Sequence, residues 1–265
     1  MQETVTVGGI CCDHNSTYMR GAAKAPDKIR QALHCGSANL CSEYGAQLQP
    51  IKLNDIGDFI ISETAEDYLA IENIIDPYAG KRDKLLILGG DHSITYPVLR
   101  SLAKVYGPLS LLHFDAHPDL YDQYEDNPYA HACPFARIME DGLADRLVQV
   151  GIRTLNPHQA EQAAKFDVEI HQMKDIENTL SLHFSTPLYI SLDLDVLDPA
   201  FAPGVSHHEP GGMNVRDVLK ILHSLRCPVV GADIVEYNPT RDINGMTAMV
   251  AAKFVKEIAA IMIDR

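Results

Sequence analysis

Three short stretches concentrate the residues able to do chemistry. Gly89-Gly90-Asp91-His92-Ser93 closes one apolar run, and His113-Phe114-Asp115-Ala116-His117-Pro118-Asp119 closes a second. Ser191-Leu192-Asp193-Leu194-Asp195-Val196-Leu197-Asp198-Pro199 closes a third. Asp115, His117 and Asp119 are spaced i, i+2, i+4, which in extended chain turns their side chains to one side. Asp193 and Asp195 share a side by the same rule. Carboxylates at the end of a buried strand are costly to desolvate unless something positive neutralises them. No Lys or Arg lies near either cluster in sequence, so a bound metal is the economical answer. Four carboxylates (Asp115, Asp119, Asp193 and Asp195) balance two divalent ions, and His92 and His117 add one imidazole each. An oxygen and nitrogen donor set without thiolate favours Mn²⁺ or a similar borderline-hard ion over structural zinc. Two such ions about 3.5–4 Å apart share carboxylates and hold a bridging hydroxide.

Such clusters need rigid elements to present them. Apolar runs predict strands at 4–10, 84–88, 109–114, 147–152, 168–171, 188–192 and 229–234. Helical patterns lie at 26–34, 97–105, 157–166, 214–225 and 246–263. The strands read as near-continuous apolar runs rather than alternating ones, as strands covered on both faces do. The expected fold is therefore α/β: one domain spanning 1–265, with an open, mostly parallel sheet and helices on both faces. In such sheets ligands bind beyond the carboxyl ends of the strands, which is where all three clusters fall. No linker, repeat or low-complexity tract divides the chain.

Composition narrows the function. Among 265 residues, 22 Lys and Arg oppose 36 Asp and Glu, so 22 − 36 gives a formal charge of −14. That balance argues against a nucleic-acid or anionic-membrane surface, which needs clustered basic residues. No stretch approaches the roughly 18 unbroken apolar residues of a membrane span. The first residues carry no basic segment followed by an apolar one, so a cytosolic protein is expected. Cys11, Cys12, Cys35, Cys41, Cys133 and Cys227 include no C-x-x-C pair. In a reducing compartment they read mainly as small buried apolar groups.

Together, GGDHS, DAHPD and SLDLDVLDPAFAPG resemble the three metal-binding motifs of the ureohydrolases, the family of arginase and agmatinase. Supporting segments are HNS at 14–16 with the following Gly21, HCGSAN at 34–39, FARIME at 135–140, GVSHHEPGG at 204–212 and VEYNP at 235–239. The likeness runs over nearly the whole chain and is greatest to plant-type arginases and similar bacterial sequences. It implies two Mn²⁺ per subunit, one held by His92, Asp115, Asp119 and Asp193, the other by His117, Asp115, Asp193 and Asp195. Asp115 and Asp193 would bridge them. It implies a homo-oligomer of three or six subunits. It also implies catalytic roles for three residues. Asp119 would carry the proton from the attacking hydroxide to the leaving amine, Glu236 would pair with the guanidinium, and His131 would shuttle protons. Chemistry agrees: a carboxylate fits the planar guanidinium fork, and a histidine titrates near neutrality.

Neighbouring residues read less sharply. Asp91 is expected to orient the loop around His92, and Asp198 to fix the turn at Pro199. His207 and His208 lie in the loop before Gly211-Gly212 and read first as structural, with one of them a candidate to face the mouth of the site, and Cys133 is an oxidation candidate beside His131. The substrate class carried over is a guanidino compound cleaved to an amine and urea. Resemblance favours L-arginine. The segment 120–126 (LYDQYED) pulls toward agmatine, because Asp122, Glu125 and Asp126 come without a cationic partner for a substrate carboxylate. Guanidinobutyrate and free guanidine follow. Acyl-amine deacetylases of similar fold use a single zinc, and Asp119 and Asp195 speak for a second metal. A metal-binding pseudo-enzyme would be expected to lack at least one ligand, and all six are present.

Overall fold

The computed structural model describes residues 4–44, 52–64, 66–176 and 180–264. Eight strands are β1 (Val5–Cys11), β2 (Leu53–Ile60), β3 (Lys84–Leu88), β4 (Leu109–Phe114), β5 (Ala144–Ile152), β6 (Glu169–Gln172), β7 (Leu188–Asp193) and β8 (Val229–Val235). They form one sheet in the order β2-β1-β3-β8-β7-β4-β5-β6. Every adjacent pair is parallel. Seven α-helices cover it: α1 (Ala25–Leu33), α2 (Asp67–Ala79), α3 (Thr95–Tyr106), α4 (Pro134–Glu140), α5 (Pro157–Lys165), α6 (Val215–Ser224) and α7 (Met246–Asp264).

Two apolar cores lie on opposite faces of the sheet. Ile29, Leu219, Leu222, Phe254 and Ile258 of α1, α6 and α7 pack against Leu86, Leu112 and Ile190 on one face. Ile71, Ile75, Leu99, Leu102 and Phe135 of α2, α3 and α4 pack against Leu85, Ile87, Leu111 and Tyr189 on the other. Successive strand residues alternate between the cores, which is why the central strands read as unbroken apolar runs. Burying a Leu or Ile side chain contributes about 1.5–3 kcal/mol, so two such layers hold the central strands firmly at their carboxyl ends.

The expected elements all form, with ends shifted by up to three residues. Three further elements had no clear pattern in the sequence. β2 (LNDIGDFI) is an edge strand bonded only to β1, polar and mostly exposed, so it lacks an apolar run. α2 contains Pro77 in its last turn, where a sequence reading places a break. α4 has seven residues, too few to show a helical period. No helix among the described residues is long and apolar enough to cross a membrane. Cys12, Cys133 and Cys227 are buried, whereas Cys11, Cys35 and Cys41 are half-buried, so burial holds for three of the six.

Candidate metal centre

The four central strands β3, β8, β7 and β4 end side by side, and each delivers part of one site. His92 follows β3, Glu236 follows β8, Asp193 ends β7 with Asp195 just beyond, and Asp115, His117 and Asp119 follow β4. The extended spacing expected of these acids is not what brings them together. β4 stops at Phe114, and the Asp115 carboxylate turns back to accept the backbone N–H of His117 at 2.6 Å. β7 stops at Asp193, whose side chain accepts the N–H of Asp195 at 2.7 Å and opens a 3₁₀ turn. Carboxylate-capped turns, not strand alternation, aim the set.

His92, Asp115, Asp119, Asp193 and Asp195 are all at most 8% exposed. His92 Nδ1 lies 3.2 Å from Asp115 Oδ2, 3.1 Å from Asp119 Oδ2 and 3.4 Å from Asp193 Oδ2. His117 Nδ1 lies 3.3 Å from Asp115 Oδ1 and 3.0 Å from Asp195 Oδ2. Two nests of donors therefore share Asp115. Their balance of charge is poor without a cation. Burial and the neighbouring Asp195 and Asp115 charges push Asp193 well above the usual carboxylate range. Burial and Asp115 push Asp195 up to about 6. Among the described residues no arginine compensates them. Arg153 follows β5, but its guanidinium donates to the carbonyls of Gly151, Asp195, Val196, Leu197 and Glu209.

The donors fit divalent cations. Ser191 Oγ donates to Asp233 Oδ1 at 2.7 Å and lies 2.8 Å from His92 Nε2. The hydroxyl proton is committed, so His92 carries its own proton on Nε2 and turns an unprotonated Nδ1 toward the acids. That buried Nδ1 has no hydrogen-bond partner. A buried ring nitrogen without a hydrogen-bond partner, facing three carboxylates, is a place where a divalent cation fits.

Several supporting residues had no role in the sequence reading. His113 Nε2 donates to Asp115 Oδ2 at 2.8 Å while its Nδ1 accepts from Gln149 Nε2 at 3.1 Å. Both ring nitrogens are thus spent, so His113 steadies Asp115 rather than joining the ligand set. Its i, i+2 spacing to Asp115 was the available signal. Asn15 ties the edges of the site: its N–H donates to Asp91 Oδ2 at 3.1 Å and its carbonyl accepts the N–H of His131 at 3.1 Å. Asp67 holds Asn15 through its side chain at 2.8 Å and also bonds His14. His14 and Cys12 with Asp67 form a further close group of donor atoms, but the two nitrogens of His14 face different partners, Cys12 and Asp67.

Asp119 and Glu236 share a backbone peculiarity. Their φ angles are 49° and 62°, left-handed conformations that non-glycine residues seldom adopt. Strain of that kind persists where surrounding structure over-determines a residue, and it gathers at functional sites. Glu236 Oε1 accepts from the backbone N–H of His92 at 2.8 Å and from His131 Nδ1 at 2.7 Å. Thr17 Oγ1 lies 2.8 Å from His131 Nε2. Burial works against a charged His131 ring, but the facing Glu236 carboxylate more than offsets it and raises the pKa to about 9.

A cavity of about 200 Å³ opens onto this set. Its walls include His117, Asp119, Asp193, Asp195, His131 and Glu236, together with Tyr121, Tyr124, Thr154, Asn156, Gln159 and His207. Asp91 accepts from Ser93 and Asn15 as a loop anchor, and Asp198 accepts the N–H groups of Ala200, Gly211 and Gly212 as a turn anchor. Cys133 is buried, and burial drives its thiol up to about 12, which removes the thiolate character an oxidation site needs. Asp122, Glu125 and Asp126 are exposed and do not line the cavity.

Comparison with known proteins agrees with this geometry. The arginase family model matches residues 3–260. The chain belongs to the arginase family. It is 49% identical over 270 residues to "Arginase 1, mitochondrial" of Arabidopsis thaliana, covering 95% of this chain and 79% of the relative. It is 47% identical to "Arginase" of Glycine max, covering 98% and 79%. Among solved structures it superposes on "Arginase from Medicago truncatula" with a TM-score of 0.92 at 42% identity, covering 98% of this chain and 88% of the other. The fold is thus the arginase fold, and the metal-site motifs of the sequence sit where that fold brings its strand ends together.

Proposed function

We propose that this protein is a manganese-dependent amidinohydrolase that cleaves L-arginine to ornithine and urea. One observation carries the reading: His92, half-buried His117 and four buried aspartates cluster at the strand ends, and His117, Asp119, Asp193 and Asp195 line one cavity with Glu236, in a chain nearly half identical to plant arginases. His92, Asp115, Asp119 and Asp193 would hold one Mn²⁺, and His117, Asp115, Asp193 and Asp195 the second. When bound, such a pair lowers the pKa of a water toward neutrality and supplies a nucleophile.

The chain's own residues do the rest. Glu236 receives the guanidinium through charge-assisted hydrogen bonds, releasing the contact its Oε1 makes with His131. Binding there orients the guanidino carbon toward the aspartates. Asp119 Oδ2, at the edge of the cluster, takes the proton of the attacking water and delivers it to the leaving amine. His131 exchanges protons with solvent at the cavity wall.

The substrate follows from what lines the cavity. The acidic residues of segment 120–126 favoured agmatine only if they faced the substrate. They face solvent, and Tyr121 and Tyr124 line the cavity instead. A substrate carboxylate meets hydroxyl and amide groups there rather than repelling acids, and the relatives named above are arginases. Agmatine is the second substrate to test. Urea release by Mn²⁺-loaded protein from arginine, agmatine, 4-guanidinobutyrate and guanidine decides it. Arginine should be preferred, and silence on all four with two metals bound would overturn the reading.

The proposal includes a homo-oligomer, which the exposed Ile243, Met246 and Met249 around the start of α7 support and sedimentation measures. A cytosolic location is the reading of the sequence, set against plant relatives named for mitochondria. Cell fractionation tests it.

A further inference from the structure

We infer that His207 is a substrate-contacting residue that hydrogen-bonds the guanidino end of the substrate. The inference rests on the proposed hydrolysis of a guanidino compound. His207 lies in the loop between Asp198 and α6, and its neighbours are pinned. Val205 bridges to Tyr237, next to Glu236. Ser206 Oγ donates to the carbonyl of Met19 at 2.9 Å and accepts from Asn238 Nδ2 at 2.9 Å. The His207 ring forms part of the cavity wall. Its centroid is 5.3 Å from that of His131, 5.8 Å from that of His117 and 5.5 Å from that of Tyr18. It therefore stands over the gap between the Glu236–His131 pair and the donor nest around His117.

Its nitrogens are uncommitted. His131 spends both ring nitrogens on Glu236 and Thr17. His208, one residue on, is exposed and spends both on the Pro203 carbonyl and Arg241. His207 has no hydrogen-bond partner among the described residues although it is half-buried. A guanidinium presents five N–H donors in one plane, and a carboxylate fork takes two of them. The remaining donors need acceptors on other walls. An uncommitted imidazole nitrogen on the wall supplies one.

The test is a substitution series in the Mn²⁺-loaded enzyme. His207→Phe keeps a ring against Tyr18 and His131 but cannot hydrogen-bond, whereas His207→Asn keeps a polar group. Guanidinium ion as inhibitor probes the guanidino end alone, and ornithine probes the rest. His207→Phe should lower kcat/KM for arginine by about tenfold or more and weaken guanidinium inhibition by a similar factor, the range for a lost hydrogen bond to a charged group. Ornithine inhibition should stay within about twofold, and His207→Asn should recover part of the loss. Near-normal kinetics in His207→Phe would show that the ring only packs. Equal loss for both inhibitors would show that the loop has moved, and loss for ornithine alone would place the contact at the tail. Any of these overturns the assignment. Wild-type protein assayed alongside separates the two claims: if it releases no urea, the proposed function falls first.

Discussion

Ser191 Oγ stands between His92 Nε2, at 2.8 Å, and Asp233 Oδ1, at 2.7 Å. Tyr189 and Thr95 also donate to Asp233, each at 2.7 Å, so the carboxylate is held on three sides inside the sheet. The consequence lies on the far side of the ring, where a proton held on Nε2 leaves Nδ1 free to take a cation. Ser191→Ala should leave the fold intact and weaken Mn²⁺ binding by about 10–100-fold, the usual cost of losing a group that orients a histidine ligand. Metal-competition titration measures it, and an unchanged affinity would remove the tautomer argument.

Asp119→Asn and Asp195→Asn should each lower the bound Mn²⁺ below two per subunit and abolish urea release. Asparagine suits Asp119 because it tolerates the left-handed backbone there. Metal analysis beside a cooperative thermal melt separates ligand loss from unfolding. Full metal content with near-normal rates in both variants would rule out the binuclear site.

Glu236→Gln should keep both metals and lose the guanidinium. The amide oxygen can still accept from His92, but the charge that matches the fork is gone. A fall in kcat/KM of at least about 100-fold is expected, on the scale of a charged hydrogen-bonded pair. An unchanged kcat/KM would make Glu236 a bystander.

The Glu236–His131 pair also sets a pH dependence. A histidine raised to about 9 from 6.5 contributes stability that is full below about pH 6.5 and is lost as pH rises through 9. The melting temperature should therefore decline between about pH 7 and 9.5, and the decline should flatten in Glu236→Gln. Calorimetry on both proteins checks this, and parallel profiles would count against the pair.

Arg153 gathers five carbonyls from the end of β5, the Asp195 turn and the loop at Glu209. Lysine cannot reproduce that planar set of donors. Arg153→Lys should cost about 2–3 kcal/mol in denaturant unfolding. It should also loosen the Asp195 end of the metal site, read as weaker binding of the second Mn²⁺.

Much of this was legible in residue order alone. Central strands sandwiched between two cores must be apolar on both faces, so β3, β4, β7 and β8 announce themselves, and acids clustered at their ends announce a cation. Those are local consequences of burial and charge, and they point to the six proposed ligands, whereas Glu236 and His131 come from the resemblance to the ureohydrolases. What escaped depends on partners far away in the chain. β2 is a strand only because β1 offers an edge. The His113 that steadies Asp115 is held by a glutamine 36 positions later, and Arg153 is bound by carbonyls from three segments. The acids of segment 120–126 could not be assigned inward or outward from order, since a loop has no period. His207 and His208 differ by one residue and by everything that matters at the site, because the path of a loop, not its composition, decides which imidazole meets the cavity.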